Sequence, residues 1–205
     1  MESLSLLNLN QKLMKNITQI LLFAMVLPLF SSCGYNRMVE NNAEVEKAWA
    51  NVESQYQRRA DLIPNLVSTV KGYADFEQET LQKVVDARAR ATQISVDPSN
   101  ITPEQLAEYQ AAQSQVSGAL GRLLAVVENY PDLKANQNFL ELQAQLEGTE
   151  NRISVERMKF NEAVKNHNAY IKKFPQVIYA GWFNFNEKSS FQAQEGADQV
   201  PEVEF

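Results

Sequence analysis

Three stretches of the chain place core-type side chains at alternating three- and four-residue spacing: Val45 to Tyr73, Leu106 to Tyr130 and Phe139 to Phe174. That rhythm follows the 3.6-residue turn of an α-helix. Sustained over many turns, it predicts helices that share a long buried seam. A shorter helix, about 75–92, offers Leu81, Val84, Val85, Arg88 and Ala91. A few seam positions are polar, namely Arg59, Gln113, Thr149, Glu156 and His167. The expected fold is all-α, an antiparallel four-helix bundle with long helices joined by short turns and one longer loop. The expected boundaries are a lipoprotein signal over 1–32, a lipidated tether over 33–40, the bundle over 41–175, and a C-terminal extension with an acidic tail over 176–205.

Local chemistry marks the ends of these helices. Gly72 weakens the first helix, and Asp75 is an expected N-cap with Gln78 three residues on. The string SVDPSNITPEQ reads as a loop. In it Thr102 is placed to cap, Pro103 to take the first helical position and Gln105 to complete a capping box. Proline after Tyr130 and after Phe174 ends the next two helices, because it disfavours the α conformation in its predecessor.

The stretch RRADLIPNLVSTVKGYA, residues 58–74, puts a proline inside the first helix. Pro64 has no N–H and clashes with the carbonyl of Ala60. The helix is expected to kink there, or to restart with Asp61 as N-cap. Setting Val45 against Phe174 in an antiparallel pair brings Arg59 within about one turn of Glu156. Arg59 is therefore expected to be partly buried against Glu156 or Glu150; the competing expectation is that it snorkels to water.

At the N-terminus, Lys12 and Lys15 precede an uncharged run from Ile20 to Phe30, followed by Ser31, Ser32 and Cys33. This is the layout of a secretory signal, too short to span a bilayer, which takes about 20 apolar residues. Leu29-Phe30-Ser31-Ser32-Cys33 resembles a bacterial lipobox, in which the cysteine is lipidated and becomes the first residue. The alternatives are an ordinary signal peptide or an uncleaved anchor. Translation starting at Met14 would give a more typical signal than Met1. Cys33 is then the lipid-attachment residue, carrying acyl chains such as palmitate. No acidic residue directly follows it, which points to the outer membrane of a two-membrane envelope.

Composition narrows the chemistry. The formal charge is −6, and −7 once residues 1–32 are set aside, which disfavours nucleic acid and a polybasic lipid patch. One cysteine and one histidine exclude an internal disulfide and a Cys/His zinc site. A di-metal carboxylate bundle needs Glu-x-x-His pairs, but His167 follows Val164 at that spacing. Glu147/Glu150 and Asp75/Glu77 read as surface and capping charges. No phosphate loop or nucleophile motif is present. The expectation is no enzyme, no cofactor and no metal.

The strings GYNRMVENNAEVEKAWANVESQYQRRADLIPNLVSTVKGYADFEQETLQKVVDARA and NYPDLKANQNFLELQAQLEGTENRISVERMKFNEAVKNHNAYIKKFP, with the ending PEVEF, resemble the LemA family. The resemblance runs from about Tyr35 to Phe205. It implies a four-helix antiparallel bundle held outside the cytoplasm by an N-terminal anchor, without a settled activity or catalytic residues. Relatives tend to have tyrosine where this chain has His167.

Two further features invite a function. Asn161 and Asn168 lie one heptad apart beside the seam, either to set helix register or to line a polar groove. The segment VIYAGWFNFNEKSSF holds Tyr179, Trp182, Phe183, Phe185 and Phe191. It is expected to close one end of the core, or else to present an aromatic patch to a partner or to lipid headgroups. The leading functional expectation is a lipid-tethered envelope scaffold or adaptor, extracytoplasmic, with envelope proteins as partners. A small-ligand-binding bundle using the asparagines with Arg58 and Arg59 is the alternative, and an envelope hydrolase stands third.

Overall fold

The computed structural model describes residues 2–73 and 77–192, except for the side chains of residues 2–12, 20 and 22–33. The elements are α1 (Glu2–Lys71), α2 (Gln78–Gln93), α3 (Pro103–Val127), a single turn α4 (Pro131–Lys134), α5 (Gln137–Ile171) and α6 (Gln176–Trp182). The fold is all-α. The thiol of Cys33, the rest of the lipobox side chains, Asp75 and the acidic tail lie outside the described residues.

α1 and α5 form the long antiparallel spine. Along it Asn136 meets Tyr73 at 3.1 Å, Glu150 meets Arg59 at 2.6 Å, and the rings of Trp49 and Phe160 lie 5.4 Å apart. Met38 then shares a cluster with Ile171. This register differs from the expected one: Val45 packs in the cluster of Ala163 and Val164, not against Phe174. The reason is visible at the start of the bundle. Residues 33–40, expected as a tether, are helical, and Gly34 and Met38 are buried. The spine therefore begins about two turns earlier than the Val45 seam suggested. α5 ends at Ile171, so Phe174 sits in the following turn, out of helical register and 82% exposed.

The proline does not restart the helix. α1 runs through Pro64 without a break, and Asp61 is an interior residue that accepts from Gln57. The carbonyl of Ala60, deprived of its partner N–H at Pro64, accepts a hydrogen bond from Arg88 Nε of α2 at 2.7 Å. An orphaned acceptor is thus satisfied from a neighbouring helix, which also fixes α2 against α1.

At the other loop, Thr102 and Gln105 form the full capping box. α2 starts at Gln78 after Glu77, with no side-chain cap.

Only half the rod is a four-helix bundle. α2 has 16 residues against 35 in α5, and it covers the α1 segment from Ala60 to Val70. Nearer the N-terminal end of the bundle the missing fourth side is closed by the loop residues Val96 and Ile101 and by the non-helical segment 186–192. Two large apolar clusters result, one on each side of Arg59.

Candidate interaction sites

Arg59 occupies the boundary between the two apolar halves. Only 1% of it is exposed. Its Nη1 donates to Ser117 Oγ and Glu150 Oε1, both at 2.6 Å. Its Nη2 donates to the backbone oxygen of Gln113 at 3.0 Å and to Gln113 Oε1 at 2.7 Å. The guanidinium also lies 5.1 Å from the centre of the Tyr56 ring. One side chain thereby ties α1, α3 and α5 together, and its planar fork of donors suits four acceptors in a way an ammonium does not. Glu156, the other acid considered as its partner, pairs with Lys159 at 2.8 Å. The adjacent cavity, between Tyr56, Arg59, Arg88, Tyr109 and Gln113, measures about 70 Å³, room for a few waters and no substrate. Burial pushes the Tyr56 and Tyr109 phenols up, so neither serves as a base near neutrality.

Asn161 and Asn168 hold the chain's own C-terminal segment. Asn168 donates to the Lys188 oxygen at 2.8 Å and accepts from the Lys188 N–H at 2.9 Å. Asn161 repeats the pattern with Phe191, at 3.0 and 2.9 Å. The spacings match: seven helical residues rise about 10.5 Å and three extended residues about 10 Å. Two paired amides one heptad apart therefore fit an extended strand running antiparallel to α5. His167 Nε2 meets the Asn186 carbonyl at 3.0 Å, and Gln110 and Arg157 reach the Gln192 oxygen. Phe191 is the anchor of this strap. It stacks on Trp49 at 5.9 Å and meets Phe160 edge-on at 5.4 Å, with Arg157 over its outer face.

Lys188 is buried in the same strap. Its Nζ donates to the backbone oxygens of Pro98 and Ser99 at 3.0 and 2.9 Å, joining the strap to the α2–α3 loop. Burial pulls its pKa down, against the opposing pull of Glu46 and Asp97. Burial also holds the His167 imidazole below its ordinary value; the bond to Asn186 works the other way, and Lys188 adds to the depression. His167 Nδ1 is buried without a hydrogen-bond partner among the described residues.

The polar groove considered for a ligand is thus filled by the protein itself. An open groove of about 790 Å³ lies elsewhere, between α3 and residues 188–192, and does not include Asn161, Asn168, Arg58 or Arg59. Arg58 lies on a different side of α1 from the buried Arg59. With Arg152, Gln145, Ala144 and Gly148 it lines a shallow depression on the α1–α5 face.

The aromatic segment divides into two parts. Phe191 is core, but Trp182 is 72% exposed, so the expectation that the whole segment closes the core does not hold for it. α6 turns Ala180 inward against Met38 and Ile171, and this leaves Val177, Ile178 and Trp182 outward. Sequence reasoning placed Arg88 on the inward side of the short helix without its acceptor, and missed Lys188 and Gln110. For the strap, the heptad spacing of the two asparagines against the three-residue spacing of their partners was the available signal.

The LemA family model matches residues 48–205, and the chain belongs to that family. It is 27% identical over 149 residues to Protein LemA of Metamycoplasma hominis, covering 73% of this chain and 61% of that protein. It is 26% identical over 181 residues to Magnetosome protein MamQ 2 of Paramagnetospirillum magneticum and to Magnetosome protein MamQ of Magnetospirillum gryphiswaldense. Those matches cover 80% of this chain and 66% of each relative. The chain thus spans less than two thirds of the length of each.

Proposed function

We propose that this LemA-family chain is a membrane-anchored adaptor of the cell envelope that works by holding partner proteins at a fixed distance from a bilayer, without catalysis. The observation that carries this reading is that the rod begins directly after Cys33. Residues 34–40 are already helical, and Gly34 and Met38 are buried, so an attachment at Cys33 leaves no slack between anchor and bundle. Among the described residues no helix is long and apolar enough to cross a membrane. The anchor is lipid on Cys33, for which the lipobox-like string Leu29 to Cys33 is the support. Two or more acyl chains at about 0.8 kcal/mol per buried CH₂ group anchor stably. The bundle stands on the extracytoplasmic side, and the outer membrane fits the residue after the cysteine.

The partner face is the depression shared by α1 and α5. Arg58 and Arg152 flank it, and Gly148 has no atom within 4 Å of where a Cβ would stand. A partner helix with acidic residues fits those two arginines. Labelled palmitate should enter the wild-type chain and not Cys33→Ala. A photo-crosslinking residue at Arg58 should trap an envelope protein in intact cells, while the same residue at Gln82 on α2 should not. Label retained by the alanine variant refutes the anchor. No adduct at Arg58, or the same adduct at both positions, refutes the face.

A further inference from the structure

Six large apolar side chains gather at the end of the rod from which the N-terminal helix emerges. Tyr35, Phe174, Val177, Ile178, Trp182 and Phe183 are all exposed. They belong together. The rings of Tyr35 and Phe183 lie 4.8 Å apart, edge to face. Ile178 and Trp182 share the outer face of α6, Val177 is exposed at its edge, and the inner face packs Ala180 on Met38. Soluble surfaces seldom leave such a cluster uncovered.

Its location identifies what covers it. α6 lies against α1 at Gly34, where a Cβ would meet the Gln176 side chain at 4.0 Å. Gly34 is the residue after Cys33 and lies four residues past the end of the apolar run at Phe30. Four helical residues rise about 6 Å. Whether the anchor is acyl chains on Cys33 or the apolar helix itself, it brings α6 to the depth of the lipid headgroups. The composition suits that depth. Tryptophan and tyrosine favour the boundary between water and hydrocarbon, and lysines beside them reach headgroup phosphates. Lys172 and Lys173 adjoin the patch and are exposed. Lys172 also bonds Glu187 at 2.7 Å.

We infer that α6 and its flanking aromatics form a second membrane contact, a lipid-interface foot that lies in the headgroup region and fixes the angle of the rod to the bilayer. A single flexible attachment would let the rod swing; two contacts about a helix width apart hold it to one orientation. This inference rests on the anchoring proposed above.

The two tryptophans separate the contact from the anchor, because Trp49 is buried in the core and Trp182 is exposed. The full chain is reconstituted into phosphatidylcholine vesicles with and without bromine on the acyl chains. Bromine quenches indole only at close range. Emission should fall in brominated vesicles, and Trp182→Phe should abolish the fall while the protein still floats with the vesicles. A chain that floats with no fall in emission overturns the foot and leaves the anchor standing. Trp182 shielded from acrylamide in proportion to protein density, with no bromine effect, overturns it in favour of a second copy of the chain. A chain that does not float overturns both.

Discussion

Arg59 shows how one residue organises three helices. Its charge is buried, whereas its carboxylate partner Glu150 keeps 40% of its side chain in solvent. The two ends of the pair are therefore unequal. Arg59→Ala leaves Gln113 and Ser117 without a donor and a hole in the core, and should cost about 3–5 kcal/mol. Glu150→Ala removes a half-solvated carboxylate and leaves the buried guanidinium with neutral acceptors only; it should cost less than Arg59→Ala, about 1–3 kcal/mol. Arg59→Lys should not restore the wild type, because one ammonium does not span four acceptors. Urea unfolding of the three variants measures this, and equal losses for Arg59→Ala and Glu150→Ala would contradict it. His167 gives a second test at this scale. Its folded pKa lies below the ordinary 6.5, so the unfolded chain takes up the proton first. The stability linked to it is full above that value and falls as pH drops through it towards the folded pKa. His167→Gln should flatten this part of the profile, read as thermal midpoints around pH 7 and around pH 5.

Pro64 and the strap set predictions at the level of elements. Arg88 answers for a hydrogen bond that Pro64 removes from α1. Arg88→Ala should cost about 1–2 kcal/mol in the natural chain and clearly less in a Pro64→Ala background, where the new N–H serves the Ala60 carbonyl. Additive losses in that double-mutant cycle would refute the coupling. In the strap, Phe191→Ala should cost about 3 kcal/mol or more, and Asn161→Ala about 1–3 kcal/mol through two orphaned backbone groups. Hydrogen exchange at Lys188 and Phe191 should accelerate in both. Helices were legible in the sequence because periodicity and capping are local signals: the Thr102–Gln105 box and the buried run from Trp49 to Val70 follow directly. Register was not, because the Val45 seam alone does not show that Gly34 and Met38 continue the helix into contact with α6. Nor was the role of Arg88, whose acceptor lies 28 residues away on another helix. The strap has no apolar period, and the heptad-spaced asparagines that hold it serve equally well to set helix register, so their spacing alone did not point to residues 188 and 191.

At the scale of the molecule, the structure is a rod with a polar pin at mid-height, one four-helix half, one half closed by a strap, and an exposed apolar patch around α6 at the end near Gly34. The split of the aromatic segment follows from this layout: Phe191 fills a gap left by the short α2, whereas Trp182 lies beyond the end of the core. Trp182→Ala should accordingly leave the thermal midpoint nearly unchanged, within about 0.5 kcal/mol, the usual range for surface sites. A large loss of stability would mean that the patch is core after all. The central claim is that the bundle acts by being held at a membrane. It is tested most directly by proximity labelling in living cells, comparing the natural chain with Cys33→Ala. The tethered chain should label a distinct set of extracytoplasmic envelope proteins that the untethered one does not. Labelling of the same set by both, or of nothing above background by either, would contradict it.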